Sequence, residues 1–386
     1  MNSVDEHQTI HCVCGDWLKL EYRQLNQDID GVQMILADAP ILICPACKSE
    51  FLPDLLRILL KDNAEKGKKM NMKKPVFRGG FPTSSRDGRF ELCKDVSFRY
   101  DSNDCRYISG LFSQCAIMGF FTPVFFNKRV LHKYMAFDEY RVDMASNTYG
   151  TIFHDDWQIS FGINRNDKVF VWLGDLDEIP SSEQSYFLSE NIESDHDVGS
   201  EFYAATREAE FTDFSNENKL LNERSNFDKS CNDLGVKIFR YEKDTYEVLG
   251  DLIRPVNWNE QGIIHVINTL NKLCVESINN DSLKQDIKKL NKSIDTTNWG
   301  SMKLMQKWIE LHCSDIDSKE IMKPFFVLYD FRIVFDHEMK KQDEEEKLDF
   351  CYERLGITNK NYESLYDEIV KQMTDSYNKL TIALEK

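Results

Sequence analysis

The spacing of apolar residues divides the chain into stretches of different character. From about Pro75 to Tyr203 they fall in short runs broken by turn residues: Phe90–Leu92, Val96–Tyr100, Phe120–Phe126, Tyr140–Met144, Gln158–Phe161 and Val169–Leu173. Between the last two, Asn164–Asp167 has the composition of a hairpin loop. This predicts a β-rich α+β domain over residues 75–205, with one helix from Asn127 to Tyr134. From about Thr206 the period becomes helical. Leu220, Arg224, Phe227, Cys231 and Leu234 share one face, as do Ile263, Ile267, Leu270, Cys274 and Ile278. Further helices are expected around Met302–Ile309, Phe325–Phe335, Leu348–Leu355 and Tyr362–Leu384, so residues 206–386 read as an all-α bundle.

The first 62 residues follow neither pattern. Two close cysteine pairs, Cys12/Cys14 and Cys44/Cys47, bracket a stretch with strand character around Val32–Leu36. Tight turns that each present two thiolates, joined by a hairpin, form a zinc ribbon, because the hairpin brings the turns together for tetrahedral coordination. The first pair has one intervening residue where two are usual, so His11 or His7 is an alternative ligand there. A Leu-rich helix starting at Asp54 follows, and then a polar, lysine-rich stretch that reads as a basic linker over residues 63–74. Its lysines either touch phosphates or are simply solvated. The expected organisation is thus a multidomain α+β protein: 1–62 zinc ribbon plus short helix, 63–74 linker, 75–205 β-rich domain and 206–386 helical domain.

At 386 residues the chain exceeds what one hydrophobic core usually organises, which agrees with several domains. Charge changes the picture more. With 48 basic against 65 acidic side chains the net charge is −17, so contact with nucleic acid requires a local basic patch. The N-terminus has no basic-then-apolar leader and no stretch approaches a spanning helix, so a cytoplasmic protein without membrane contact is expected. Eleven cysteines, seven of them scattered singly among apolar neighbours, fit reduced, buried thiols.

Motifs for nucleotide binding (GxGxxG, GxxxxGK[ST]), for serine hydrolases (GxSxG) and for zinc proteases (HExxH) are absent. Two acidic groups, His154-Asp155-Asp156 and Asp175-Leu176-Asp177-Glu178, could hold Mg²⁺ for phosphodiester hydrolysis, or be acidic turns of an acidic chain. Asp195-His196-Asp197 reads as a polar loop that becomes a metal site only with support from elsewhere in the chain. In the bundle, Arg332 and His337 have four residues between them in an amphipathic segment. Histidine can take or give a proton near neutrality, and a guanidinium matches the non-bridging oxygens of a phosphoryl group. On an ideal helix the two side chains point roughly 140° apart, so they converge only if the helix ends or bends near Asp336, or if two protomers combine. The alternative is an Arg332–Asp336 surface ion pair.

Over its first sixty residues the chain resembles the YgiT-type zinc finger of the MqsA family of antitoxins. The resemblance implies structural Zn²⁺ on Cys12, Cys14, Cys44 and Cys47, and a protein partner bound through the ribbon. The Arg332/His337 spacing resembles the R-x(4–6)-H motif of HEPN domains, which are all-α bundles of bacterial toxin and defence proteins. That implies a metal-independent endoribonuclease, dimeric, with RNA as substrate and Arg332 and His337 as catalytic residues. Ile333 departs from the polar residue that often follows the arginine. Segments such as Gly119–Phe126, Ser160–Arg165 and Trp172–Asp175 are similar to ones in uncharacterised bacterial proteins, with no activity implied. The function expected from this is an endoribonuclease effector of a toxin–antitoxin or anti-phage system. The alternative is a catalytically silent zinc-finger adaptor or sensor; a third reading is a Mg²⁺ nuclease on Asp175, Asp177 and Glu178.

Overall fold

A computed structural model describes residues 9–69, 76–80, 90–111, 118–240, 249, 252–256, 258–336 and 341–385. The chain forms two compact units, Met1–Asp213 and Phe214–Lys386. Together they give a mixed α+β protein with a helical C-terminal region.

The first unit opens with a long hairpin, β1 (Lys19–Ile29) and β2 (Val32–Ile43). Asp30 and Gly31 both have positive φ, 54° and 85°, which is the turn whose twist matches the two strands. β3 (Glu50–Phe51) pairs antiparallel with the end of β2, and β4 (Val76–Gly80) pairs parallel with its start. Helix α1 (Asp54–Lys69) covers this sheet through Leu56, Leu60 and Ala64. α1 corrects the expected linker: residues 63–69 are helical, because Ala64 continues the one-in-four buried face and Lys66, Lys68 and Lys69 suit a helix C-terminus. Residues 70–74 lie outside the described residues.

A second, six-stranded antiparallel sheet runs in the order β10-β5-β9-β8-β7-β6. Its members are β5 (Pro123–Asn127), β6 (Arg141–Met144), β7 (Tyr149–Phe153), β8 (Gln158–Ile163), β9 (Lys168–Trp172) and β10 (Asn191–Ile192). The β8–β9 turn is closed by Asn164, whose Oδ1 accepts from the N–H groups of Asn166 and Lys168 at 3.0 and 3.1 Å. Short helices α2 (Asp104–Tyr107), α3 (His132–Ala136), α4 (Leu173–Glu178), α5 (Ser181–Ser189) and α6 (Glu201–Tyr203) fill the connections. The expected helix from Asn127 is a 3₁₀ turn over Lys128–Leu131 followed by α3.

The runs at 90–92 and 96–100 are not strands. A side chain takes the place of a ladder there: Asn191 accepts from the Arg99 N–H at 2.6 Å and donates to its carbonyl at 3.2 Å. The ribbon and the β-rich segment share one core, in which Leu18, Leu20, Leu42, Cys12 and Cys44 pack with Phe125, Phe170, Trp172 and Phe202. Cysteine ribbon and sheet therefore stand or fall together.

The second unit is helical: α7 (Asn216–Asp233), α8 (Glu260–Asn271), α9 (Asn280–Leu290), α10 (Ser301–His312), α11 (Ser318–Asp336), α12 (Lys341–Leu355) and α13 (Tyr362–Leu384). A π-helical turn, Lys272–Glu276, extends α8. Ser215 and Asn361 cap α7 and α13, accepting from the N–H groups of Asn218 and Ser364 at 3.2 and 2.7 Å. Phe227 of α7 meets Tyr377 of α13 with ring centroids 5.6 Å apart, inside a core that also takes in Trp308 and Phe331. No helix among the described residues is long and apolar enough to cross a membrane.

Candidate functional site

The two cysteine pairs come together. Cys12 Sγ lies 3.4 Å from Cys47 Sγ and Cys14 Sγ lies 3.5 Å from Cys44 Sγ, with all four sulfurs within 4.8 Å of one another. A disulfide needs about 2.05 Å. Four thiolates at about 2.3 Å from one tetrahedral ion sit about 3.8 Å apart, so this arrangement can hold a metal ion. All ten cysteines among the described residues are free thiols, and Cys93, Cys105, Cys231, Cys274, Cys313 and Cys351 are buried. Cys115 lies outside the described residues.

Local sequence shapes each knuckle. In the first, Cys12 N–H donates to the Asp16 carbonyl and Gly15 N–H to the Cys12 carbonyl, both at 2.8 Å. That turn needs a left-handed residue, and Gly15 supplies it with φ 88°. In the second, Cys44 N–H donates to the Ser49 carbonyl at 2.9 Å, and Cys47 N–H points at Cys44 Sγ at 3.4 Å. His11 is directed elsewhere: its Nε2 lies 3.2 Å from Glu208 Oε2 and its ring packs on Trp17 at 4.2 Å. His7 is outside the described residues. Four thiols thus form the cluster despite the short first knuckle.

The cluster is half inside the protein. Cys12 and Cys44 are 5% and 0% exposed, whereas Cys14 and Cys47 face solvent. Burial pushes the Cys12 thiol up to about 12, while hydrogen bonding with Ser49 draws Cys47 down to about 6. A bound divalent ion would supply the charge that lets the buried thiols ionise. Asp16 ties the cluster to the sheet. Its Oδ2 lies 3.9 Å from Cys44 Sγ, and both its oxygens accept from Arg165 Nη1 at 3.1 Å. Arg165 also donates to the Trp17 carbonyl at 2.9 Å and places Nε 2.8 Å from Asp197, which is fully buried. Sequence reasoning missed Arg165 and Asp16, since nothing local marks residues 149 apart as partners.

Arg332 sits in the last described turn of α11, with 29% of its side chain exposed, and its Nη1 donates to Glu276 Oε1. Asn271 Nδ2 donates to the same carboxylate oxygen at 2.9 Å. Two more arginines meet this turn: Arg240 donates from N–H to the Ser277 carbonyl at 2.7 Å and from Nη2 to the Ile278 carbonyl at 3.3 Å, and buried Arg224 reaches Ser277 Oγ at 3.2 Å. Arg240 is exposed. Glu276 and Arg240 carried no motif that could have singled them out. His337 and the side chain of Asp336 lie outside the described residues.

The acidic groups read as a Mg²⁺ site do not converge. Asp156, Asp177 and Glu178 line one open cleft of about 660 Å³ beside Trp157, yet no three-ligand group among the described residues includes them. Consecutive positions on α4 fan out by about 100° each, and Asp177 Oδ1 is already occupied by the Cys93 N–H. Asp175 is largely buried, and burial, then the neighbouring Glu178 charge, raises it to about 6. The unfolded chain ionises near 3.8, so ionisation penalises the folded state from about pH 4 and fully above pH 6. Asp175→Asn is therefore expected to stabilise the protein by about 1–2 kcal/mol at pH 7.5, after allowance for solvent screening, and by progressively less toward pH 4. Urea unfolding of both proteins across that range checks it; an Asn variant less stable at pH 7.5 would overturn the assignment.

Comparisons with protein-family models, with curated proteins and with solved structures find no match. The functional reading accordingly rests on this chain's own residues.

Proposed function

We propose that this chain is a metal-independent endoribonuclease effector of a bacterial toxin–antitoxin or anti-phage system, acting in the cytoplasm as a homodimer through Arg332 and His337. Cys12, Cys14, Cys44 and Cys47 hold structural Zn²⁺, and the ribbon offers a surface to a protein partner. The observation that supports the catalytic part is the meeting of two accessible arginines, Arg332 and Arg240, on the short turn 276–278. A chain of net charge −17 needs such a local concentration of positive charge to approach a phosphodiester.

In this reading Arg332 neutralises the non-bridging oxygens as charge grows in the transition state. His337 takes the 2′-hydroxyl proton or protonates the leaving oxygen. Glu276 keeps the guanidinium oriented until phosphate competes for it. The zinc supplies no chemistry, because four thiolates leave no open coordination position.

The test is cleavage of total bacterial RNA by the purified chain in EDTA and in Mg²⁺. Wild type is expected to cut in both, and Arg332→Ala and His337→Ala each to lose roughly 100-fold or more. Arg240→Ala is expected to weaken RNA binding and reduce its salt dependence. A second reading, the silent adaptor, is favoured by the Arg332–Glu276 ion pair, which already engages the guanidinium. RNA left intact by folded wild type would sink the nuclease and leave the adaptor.

A further inference from the structure

We propose that Asp101, Asp104 and His196 form a second metal site in the first unit, separate from the cysteine cluster, for a divalent first-row ion such as Mn²⁺ or Zn²⁺. One ligand atom from each residue lies within 4.8 Å of the other two. His196 Nδ1 is 2.7 Å from Asp104 Oδ1, and the Ser194 hydroxyl donates to Asp104 Oδ2 at 2.6 Å. Asp104 is fully buried, with the Ser194 hydroxyl against one oxygen and the His196 imidazole, an ion-pair partner when protonated, against the other.

The loop is built to deliver the imidazole. His196 has φ 61°, a left-handed conformation that a β-carbon disfavours, and its N–H donates to Ser194 Oγ at 2.9 Å. Its carbonyl accepts from the Leu20 N–H of β1 at 3.1 Å, which anchors the loop to the hairpin. The Tyr22 ring packs edge-on against the imidazole at 5.5 Å.

The flanking carboxylates are committed elsewhere. Asp195 accepts from Asn164 and Asn166 at 3.1 and 2.9 Å and pairs with Lys168 at 3.3 Å, while Asp197 faces Arg165. Of the acidic and imidazole groups in the Asp195-His196-Asp197 loop, only the imidazole turns toward Asp104. The support this loop lacked in sequence comes from a residue 92 positions upstream.

One imidazole nitrogen and two carboxylate oxygens suit the borderline and harder divalent ions, and three protein ligands leave positions open for water or substrate. Binding replaces the proton shared between Nδ1 and Oδ1 by the ion and releases that proton to solvent. The inference does not depend on the ribonuclease reading.

Mn²⁺ discriminates this site from the thiolates, which prefer softer ions. Full-length protein carrying zinc is titrated with Mn²⁺ and free Mn²⁺ is followed by electron paramagnetic resonance. One bound Mn²⁺ per chain is expected, weakened about ten-fold or more by His196→Gln and by Asp101→Asn. In parallel, protein loaded with Zn²⁺ and dialysed is expected to retain two zinc per chain by mass spectrometry, falling to one in His196→Gln and to one in Cys44→Ser. No bound Mn²⁺ together with a single zinc in wild type would overturn the second site and leave the cysteine centre standing. If His196→Gln misfolds, the wild-type Mn²⁺ count still decides.

Discussion

With the four cysteines holding zinc as proposed, Cys44→Ser is expected to abolish that binding and to lower the melting temperature of the first unit by roughly 10–20 °C, equivalent to about 3–5 kcal/mol. The size follows from position. Cys44 is fully buried in the core that joins the hairpin to Phe125, Phe170 and Trp172. Losing a bound ion would remove a cross-link between segments thirty or more residues apart and leave Cys12, Cys14 and Cys47 as mutually crowded thiols. Cys231→Ser, in the helical unit, serves as a control that should leave zinc content unchanged. Thermal unfolding with mass-spectrometric metal counting reads both quantities. A serine variant that keeps wild-type zinc and melting temperature would show that the cluster holds no structural metal.

Arg165→Ala is expected to destabilise the first unit by about 3–5 kcal/mol, because it strands the carboxylate of Asp197 in the interior. Arg165 lies 2.8 Å from that group and 3.1 Å from Asp16 beside the cysteine cluster. Burial already pushes the Asp197 carboxyl up against the opposing pull of Arg165. Without the guanidinium the group should protonate more readily still. An acid whose folded pKa is raised costs stability when ionised, so the deficit of the variant should shrink as the pH falls. Adding Asp197→Asn to Arg165→Ala should recover a large part of the loss, which a double-mutant cycle by urea unfolding measures. A double variant no better than Arg165→Ala alone would place the cost elsewhere. Because Asp16 is held by the same arginine, the single variant should also release zinc to a chelator faster than wild type.

Much of the local architecture is readable from the chain. Asn164–Asp167 marks the β8–β9 turn, and helical spacing marks α7, α8, α10 and α13 within a few residues. These depend on neighbours within about four positions, which is the range over which periodicity and turn chemistry act. The stretch at 63–69 has the composition of a linker yet is helical, because a single alanine, Ala64, continues the buried face of α1 among lysines. The runs at 90–92 and 96–100 are not strands; in the second, Asn191, far along the chain, satisfies the Arg99 backbone instead of a neighbouring strand.

The sequence by itself determined which residue types are present for chemistry: the two cysteine pairs, the single histidine between two aspartates, and the arginine in a late amphipathic helix. Only the tertiary structure decided their partners. Asp16 meets Arg165 across 149 residues, His196 meets Asp104 across 92, and Arg332 meets Glu276 across 56. The reason is that a helical or strand period specifies which face of an element is buried. The charge or thiol that a side chain on that face will meet is fixed by how the elements pack, and a buried charge persists only where packing supplies its counterpart.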